Sequence, residues 1–481
     1  MKLRSLLLLA LLVLMSGLAV TGSQPARAAS SNCAVNSQTG VNTCTGTFAD
    51  GANYLIQVPA NWNGTLALYS HGYVFSINPI TLQPVPLVQA PDAGDPLTAA
   101  ALLGAGYALA GSSYSQNGWA LQQAFQDQIA TLDTFDALFG QPRRTIAWGH
   151  SLGGIITAGL VQLFPDRFNG ALPMCGVLAG GVATWNQALD GAFAFDVLLA
   201  GNSLPLVHLS SNPAVVQSEF FQAEGILSAA QQTAQGRARI ALLSALGDTP
   251  GWFTTGSPEP ASNDFASQEQ NQFLWASQVD FPFLFAGRAE LEARAGGNPS
   301  WNTGVDYRTQ LAKSADKREV ENLYKQAGLS LDQDLNALNS APRIAADPGA
   351  VNYLSQFITF NGDLHFPVLT MHTTGDGLVV NQDEQAYKSV VNARGDANLL
   401  RQIFVDRAGH CAFTPAETVT AFNTLINRLN TGEWGNSTDA GLLNQEATAL
   451  GPTLNTAPSA FIHFEPTVFL RPFDTRHPDY S

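Results

Sequence analysis

The chain has 481 residues, 45% of them hydrophobic and 13% charged, with a formal net charge of −15. That length allows one large domain carrying an insertion, or two domains, with ample apolar material for a core. The acidic balance argues against nucleic acid or an anionic membrane surface as a partner.

Residues 1–28 read as an export signal. Lys2 and Arg4 precede an apolar run over 6–20, and Ala26-Arg27-Ala28 offers a small-x-small cleavage site. The run is short for a spanning helix, no cysteine follows it for lipid attachment, and no later segment is long enough to span. The expectation is a mature chain starting near Ala29, secreted or periplasmic/extracellular, with no membrane anchor. In an oxidising compartment the four cysteines imply two disulfides, with three possible connectivities. Cys33 and Cys44 flank the turn-rich stretch 36–40 and most simply close a hairpin, which leaves Cys175 with Cys411.

From about 46 to 178 strand and helix signals alternate. Residues 65–69 read as a strand leading into Ser70-His71-Gly72-Tyr73; 96–103 as a short helix; 106–111 as a strand. A long helix is expected over 119–139, with Leu121, Phe125, Ile129, Leu132, Phe135 and Phe139 on one side. An apolar strand over 144–148 runs into Gly149-His150-Ser151-Leu152-Gly153, and a helical apolar face follows to 164. A strand turning directly into a helix through a serine forces that serine into a strained backbone conformation. Glycines two residues to either side clear the turn, and the hydroxyl is pushed out over a helix N-terminus. Residues 168–177 form the next strand. Such alternation means a parallel sheet covered on both faces.

The alternation stops near Gly180 and resumes near Phe366. Between them lie helical patches, prolines and conspicuous aromatics, most of them expected to pack and the rest to line a cleft beneath a cap. Asp332, Asp334 and Asn336 begin like a calcium loop but lack its glycine and closing glutamate, so a helical surface is expected. Residues 366–371 read as a strand, 382–393 as a helix begun by Asn381 with Glu384 as capping partner, and 399–405 as a strand. Thr414-Pro415-Ala416-Glu417 is a capping box opening a further helix. Strand character at 460–470 has no evident place. The expected division is 29–180 and 366–430 as two parts of one core, 181–365 as a cap or lid insertion, and 431–481 as a C-terminal extension.

A serine hydroxyl needs a base within hydrogen-bond reach, itself oriented by a carboxylate. Asp376 lies on the loop leaving the strand that ends at Met371, and His410 on the loop before the capped helix. The chain order is Ser151, Asp376, His410. Asp363, Asp383 and Asp406 are rivals for the acid, with Asp376 preferred. His71 reads as a buried, hydrogen-bonded ring; His150 and His372 flank the site. No cluster has zinc spacing and no phosphate-cradling loop occurs, so no cofactor is implied.

These motifs resemble the α/β-hydrolase superfamily over about 46–180 and 366–430, but not over the insert. The resemblance implies Ser151 as nucleophile, Asp376 in Gly-Asp-Gly-Leu-Val as acid and His410 in Ala-Gly-His as base. It implies an oxyanion hole made by the backbone N–H groups of Leu152 and Tyr73. A disulfide beside the histidine is similar to the tannase and feruloyl esterase family, but there a second cysteine precedes the serine, where this chain has His150. No tannin or feruloyl substrate follows. The fold expected is a mostly parallel sheet with helices on both faces and a large helical cap insertion. The function expected is a secreted serine esterase acting on a small-molecule or polymeric ester. Alternatives are an amidase or peptidase, an acyltransferase, or a non-catalytic binding member of the fold. The oligomeric state is not readable.

Overall fold

A computed structural model describes residues 31–471; the expected export signal at 1–28 lies outside the described residues. Ten strands form one sheet: β1 (Ser31–Val35), β2 (Asn42–Thr47), β3 (Asn53–Val58), β4 (Thr65–Ser70), β5 (Ala108–Ser112), β6 (Arg144–His150), β7 (Gly170–Met174), β8 (Val368–Gly375), β9 (Leu400–Ala408) and β10 (Phe461–Ile462). Their order is β1-β2-β3-β5-β4-β6-β7-β8-β9-β10. The run from β5 to β9 is parallel, while β1, β2, β3 and β10 are antiparallel to their neighbours.

Helices α1 (Pro96–Gly104), α2 (Leu121–Phe139) and α3 (Leu152–Leu163) connect the first parallel strands. Nine helices follow before β8: α4 (Gly181–Phe195), α5 (Pro213–Gln231), α6 (Ala234–Gly247), α7 (Phe265–Trp275), α8 (Arg288–Ala295), α9 (Tyr307–Lys313), α10 (Lys317–Ala327), α11 (Leu331–Ser340) and α12 (Pro348–Phe357). Then come α13 (Gln382–Arg394), α14 (Pro415–Thr431) and α15 (Ala440–Ala449).

The central strands are apolar on both sides because helices cover both sides. Leu66, Leu68 and Ala147 face α2, α3 and α13; the alternate residues Ala67, Tyr69, Ile146 and Trp148 face α1, α14 and α15. Trp148 is fully buried, with Tyr69 and Phe422 edge-on to its ring. Truncating such a residue to alanine costs about 3–5 kcal/mol. The helices between β7 and β8 have a separate core around Phe193, Phe220, Phe281, Phe285, Tyr307 and Tyr324.

Several details differ from the sequence reading. β8 and β9 run on to Gly375 and Ala408, because their parallel ladder continues across an irregularity at Thr373/Gly375. The tail strand is only Phe461–Ile462, paired antiparallel to β9 at the sheet edge. Asn381 and Glu384 form no capping box: Asn381 Nδ2 donates to Thr374 O, and Glu384 is drawn inward to Thr370, His372 and Gln402. Asp332 and Asp334 do lie on a helix, α11, where they pair with Arg308 and Arg239.

One helix is irregular for a readable reason. From α7 to α8 the backbone stays helical, with Pro282 in its interior. Proline has no N–H to donate, and its ring crowds the carbonyl four residues back. The helix widens into π turns on either side, over Ala276–Asp280 and Phe283–Gly287.

Candidate functional site

The sheet reverses its winding between β4 and β6: β4 leads to β5 on one side, and β6 returns to the other. A crevice opens at the C-terminal ends of strands at such a switch point. Ser151 follows β6 and Tyr73 follows β4, so the two flank this crevice.

Ser151 has φ 61° and ψ −124°, a conformation that costs an L-residue on the order of 1–3 kcal/mol. The surroundings hold it there. Ser151 N–H donates to Met174 O at 3.0 Å, and helix α3 starts at the next residue. A Cβ on Gly153 would lie 1.9 Å from Ser70 O, and one on Gly149 2.5 Å from the same oxygen. Only glycine permits this approach of α3 to β4.

His410 stands in the loop after β9. Its Nε2 lies 2.7 Å from Ser151 Oγ and its Nδ1 2.7 Å from Asp376 Oδ2. A carboxylate can only accept, so Nδ1 carries the proton and Nε2 is left to accept from the serine. Asp376 Oδ1 accepts the N–H groups of Leu378 and Val379, each at 3.1 Å. Burial pushes the Asp376 carboxyl up, but the charges and hydrogen bonds of His410 and His372 outweigh it and hold the group down to about 2. The rival carboxylates have other partners. Asp363 pairs with Arg394, Asp383 accepts from Ala179 N and Thr184, and Asp406, inside β9, accepts from Thr374.

The Tyr73 and Leu152 N–H groups have no hydrogen-bond partner among the described residues. Gly72 brings the first of these loops close, since a Cβ there would lie 3.3 Å from Ser151 Cβ. Leu152 N–H opens α3, at the positive end of its dipole. An oxygen carrying negative charge beside Ser151 would find donors there.

The other histidines separate by environment. His71 is buried, stacked on Tyr114 and bonded to the Gly72 and Ser113 carbonyls. His150 meets Tyr69 Oη at 3.2 Å, and burial followed by the charge of His410 pushes its ring down to about 4. His372 lies behind Asp376. Its Nε2 is 2.8 Å from Val379 O and 3.5 Å from Asp376 Oδ2, and its Nδ1 is 3.3 Å from Glu384 Oε1, so, unlike His71, the ring stands between two carboxylates that favour its doubly protonated form. Burial alone would depress it, yet hydrogen bonds to Asp376 and Glu384 hold it up to about 10. The sequence reading placed His372 beside the site but gave no sign of its charge, which depends on Asp376 together with the distant Glu384.

Disulfides join Cys33 to Cys44 within the β1–β2 hairpin and Cys175 to Cys411. The second ties the loop after β7 to the residue following His410. Thr255 Oγ1 donates to Ala408 O, and Thr373 Oγ1 to Gly409 O, steadying the same loop. Cys175, His410 and Cys411 sit close enough together for metal ligands, but both sulfurs are spent in the disulfide and no thiolate remains.

A chamber of about 70 Å³ opens beside Ser151, walled by Leu152, Trp185, Gln187, Phe283 and Leu378. A larger cavity of about 450 Å³, lined by Phe75, Val216, Phe220 and Phe285, does not reach Ser151. Tyr73 belongs to both, and its ring packs against Phe75 and Phe283 as part of the wall between them.

No family model matches the chain. It is similar to an o-phthalyl amidase of Xanthobacter agilis, with 31% identity over 433 residues, spanning 84% of this chain and 90% of the relative. Among solved structures it is similar to the rice cell wall degrading esterase LipA of Xanthomonas oryzae, at TM-score 0.38 and 13% identity over 85% of this chain and 99% of that one. Feruloyl esterase B of Aspergillus oryzae gives TM-score 0.38 and 13% identity over 85% and 88% of the two chains. Candida antarctica lipase A in its closed state gives 0.40 and 12% over 85% and 83%.

Proposed function

Since the chain belongs to the α/β-hydrolase superfamily and is a hydrolase, we propose that it is an exported serine hydrolase that cleaves carboxylic esters through an acyl-enzyme. The reading is carried by one observation: Ser151 Oγ, His410 and Asp376 form a continuous chain of two 2.7 Å contacts. Ser151 Oγ attacks the substrate carbonyl while its proton passes to His410 Nε2. The carbonyl oxygen takes the negative charge beside the Leu152 and Tyr73 N–H groups. His410 returns the proton to the departing alcohol as the tetrahedral carbon collapses. Water then repeats the sequence on the acyl-enzyme and frees the acid. Export is supported by the leader-like residues 1–28 and by two disulfides, which persist in oxidising compartments. Among the described residues no helix is long and apolar enough to cross a membrane.

Amide cleavage is a second reading, favoured by the relative named as an o-phthalyl amidase. The same groups serve it, with His410 protonating a departing amine. The deciding experiment is a rate profile on matched p-nitrophenyl esters, p-nitroanilides and an o-phthalyl amide, for wild type and Ser151→Ala. Ester turnover lost in the variant supports the first reading. Amide turnover at comparable rates moves the chain to the second. Silence on all substrates, with no fluorophosphonate labelling of Ser151, refutes both.

A further inference from the structure

A second lobe lies beside the Ser151 chamber, across shared side chains. A further space of about 70 Å³ shares the walls Trp185, Gln187, Ala188, Phe283 and Leu378 with it, and continues to Asp280 and Thr249. His410, which must reach the leaving group, lines neither lobe. Ser151 and Leu152, at the carbonyl carbon and its oxygen, line the near one. The pair of lobes therefore lies on the acyl side of the scissile bond. An apolar cavity of about 150 Å³ holds a benzene ring, so neither lobe alone admits a ring, and the two joined past the shared Phe283 and Leu378 side chains would match a ring-sized group.

The far lobe is mostly apolar, with one group that stands out. Asp280 is half-buried and lines the lobe, yet its carboxyl makes no hydrogen bond or ion pair among the described residues. No Lys, Arg or His among them lines either lobe. Gln187 is also polar, but its amide nitrogen is committed to Gly247 O. Asp280 ends the π turn Ala276–Asp280, two residues before Pro282. The widening that proline imposes thus falls where the carboxyl meets the lobe, a frequent position for π turns at binding sites.

We propose that the two lobes form the acyl pocket and that Asp280 is its specificity-determining anchor, hydrogen-bonding an uncharged hydroxyl at the far end of a ring-sized acyl group; this rests on the acyl-enzyme reading above. Burial, and then the nearby charge of Asp376, push the Asp280 carboxyl well above the usual range. A neutral carboxyl both donates and accepts, as a hydroxyl partner requires. An anionic acyl group would meet no cation, and an ammonium would require Asp280 to ionise beside Asp376.

The test compares kcat/KM on p-nitrophenyl esters of benzoic, meta- and para-hydroxybenzoic and para-(aminomethyl)benzoic acids. Wild type, Asp280→Asn, Asp280→Leu and the smaller Asp280→Ala are assayed as full chains. Wild type is expected to favour a hydroxybenzoyl ester over benzoyl by about tenfold. Asp280→Leu and Asp280→Ala bring that ratio to about one, and Asp280→Asn, which still donates and accepts, keeps most of it. A hydroxyl preference that survives Leu and Ala overturns the proposal, as does an equal fall on every ester. A wild type that favours the ammonium ester overturns it too. Failure of the parent reading looks different: no ester is turned over and Ser151 does not react with a fluorophosphonate, whereas an active, labelled enzyme without hydroxyl preference removes only the role of Asp280.

Discussion

Glu384, in the first turn of α13, sets its carboxylate 3.3 Å from Nδ1 of His372 on β8. The opposite ring nitrogen lies 2.8 Å from Val379 O and 3.5 Å from Asp376 Oδ2. A buried imidazolium is thereby held between two carboxylates, one of which orients His410. Removing one member of a buried charge group leaves the others unpaired, so Glu384→Gln should lose about 2–4 kcal/mol near pH 6. Urea unfolding measures this. An unchanged midpoint would show that His372 is not charged.

The pH dependence follows from the same groups. His372 is held up to about 10 from its ordinary 6.5, so its contribution is fully present below 6.5 and is lost as pH rises through 10. Asp376 is held down to about 2 from its ordinary 3.8, so its contribution is present above 3.8 and is lost as pH falls through 2. These two groups place a stability plateau between about pH 4 and 6.5. In Glu384→Gln the alkaline decline should still begin near pH 6.5 but be smaller and level off at lower pH than in wild type, which a thermal-melt series from pH 4 to 10 would reveal.

Asp376→Asn should lower kcat by about 10⁴-fold, because an amide facing Nδ1 favours the wrong tautomer of His410. Asp406, whose carboxylate accepts from Thr374 and does not meet the histidine, serves as the control. Asp406→Asn should stay within about tenfold of wild type. Reversal of the two effects in steady-state assays would mean that the acid is misassigned.

The Cys175–Cys411 bond spans 236 residues of sequence, and in the chain-entropy account a cross-link of that span contributes about 5 kcal/mol. It also anchors the loop of His410. The paired Cys175→Ser, Cys411→Ser variant should melt lower and lose kcat more than KM. Equal kcat in folded variant and wild type would limit the bond to stability.

Gly153→Ala places a methyl 1.9 Å from Ser70 O, which is backbone and cannot swing away. Loss of soluble folded protein, or at least about 3 kcal/mol of stability, is expected. Gly104→Ala meets nothing within 4 Å at the end of α1 and should be neutral or stabilising by up to about 1 kcal/mol. Equal melting points for the two variants would contradict the account of the turn.

Features made by neighbours in sequence were legible without coordinates. The strand–serine–helix turn depends on glycines within two residues of Ser151, and the Thr414–Glu417 capping box closes within one helical turn. The strand–helix alternation that builds the parallel sheet is likewise written in local periodicity. What depends on distant segments was not legible. Glu384 carries the pattern of a helix cap, but the folded chain offers it a buried His372 instead, and the stronger partner wins. Asp363, Asp376, Asp383 and Asp406 are alike as residue types, and only the packing of the loops after β8 and β9 brings one of them to His410. Strand character at 460–470 shrank to Phe461–Ile462, which pairs with the outer edge of β9. Asp280 had no sequence signal at all. Its position depends on a proline-widened helix meeting a chamber built by α4 and the loop after β8, a coincidence of three segments that only tertiary packing creates.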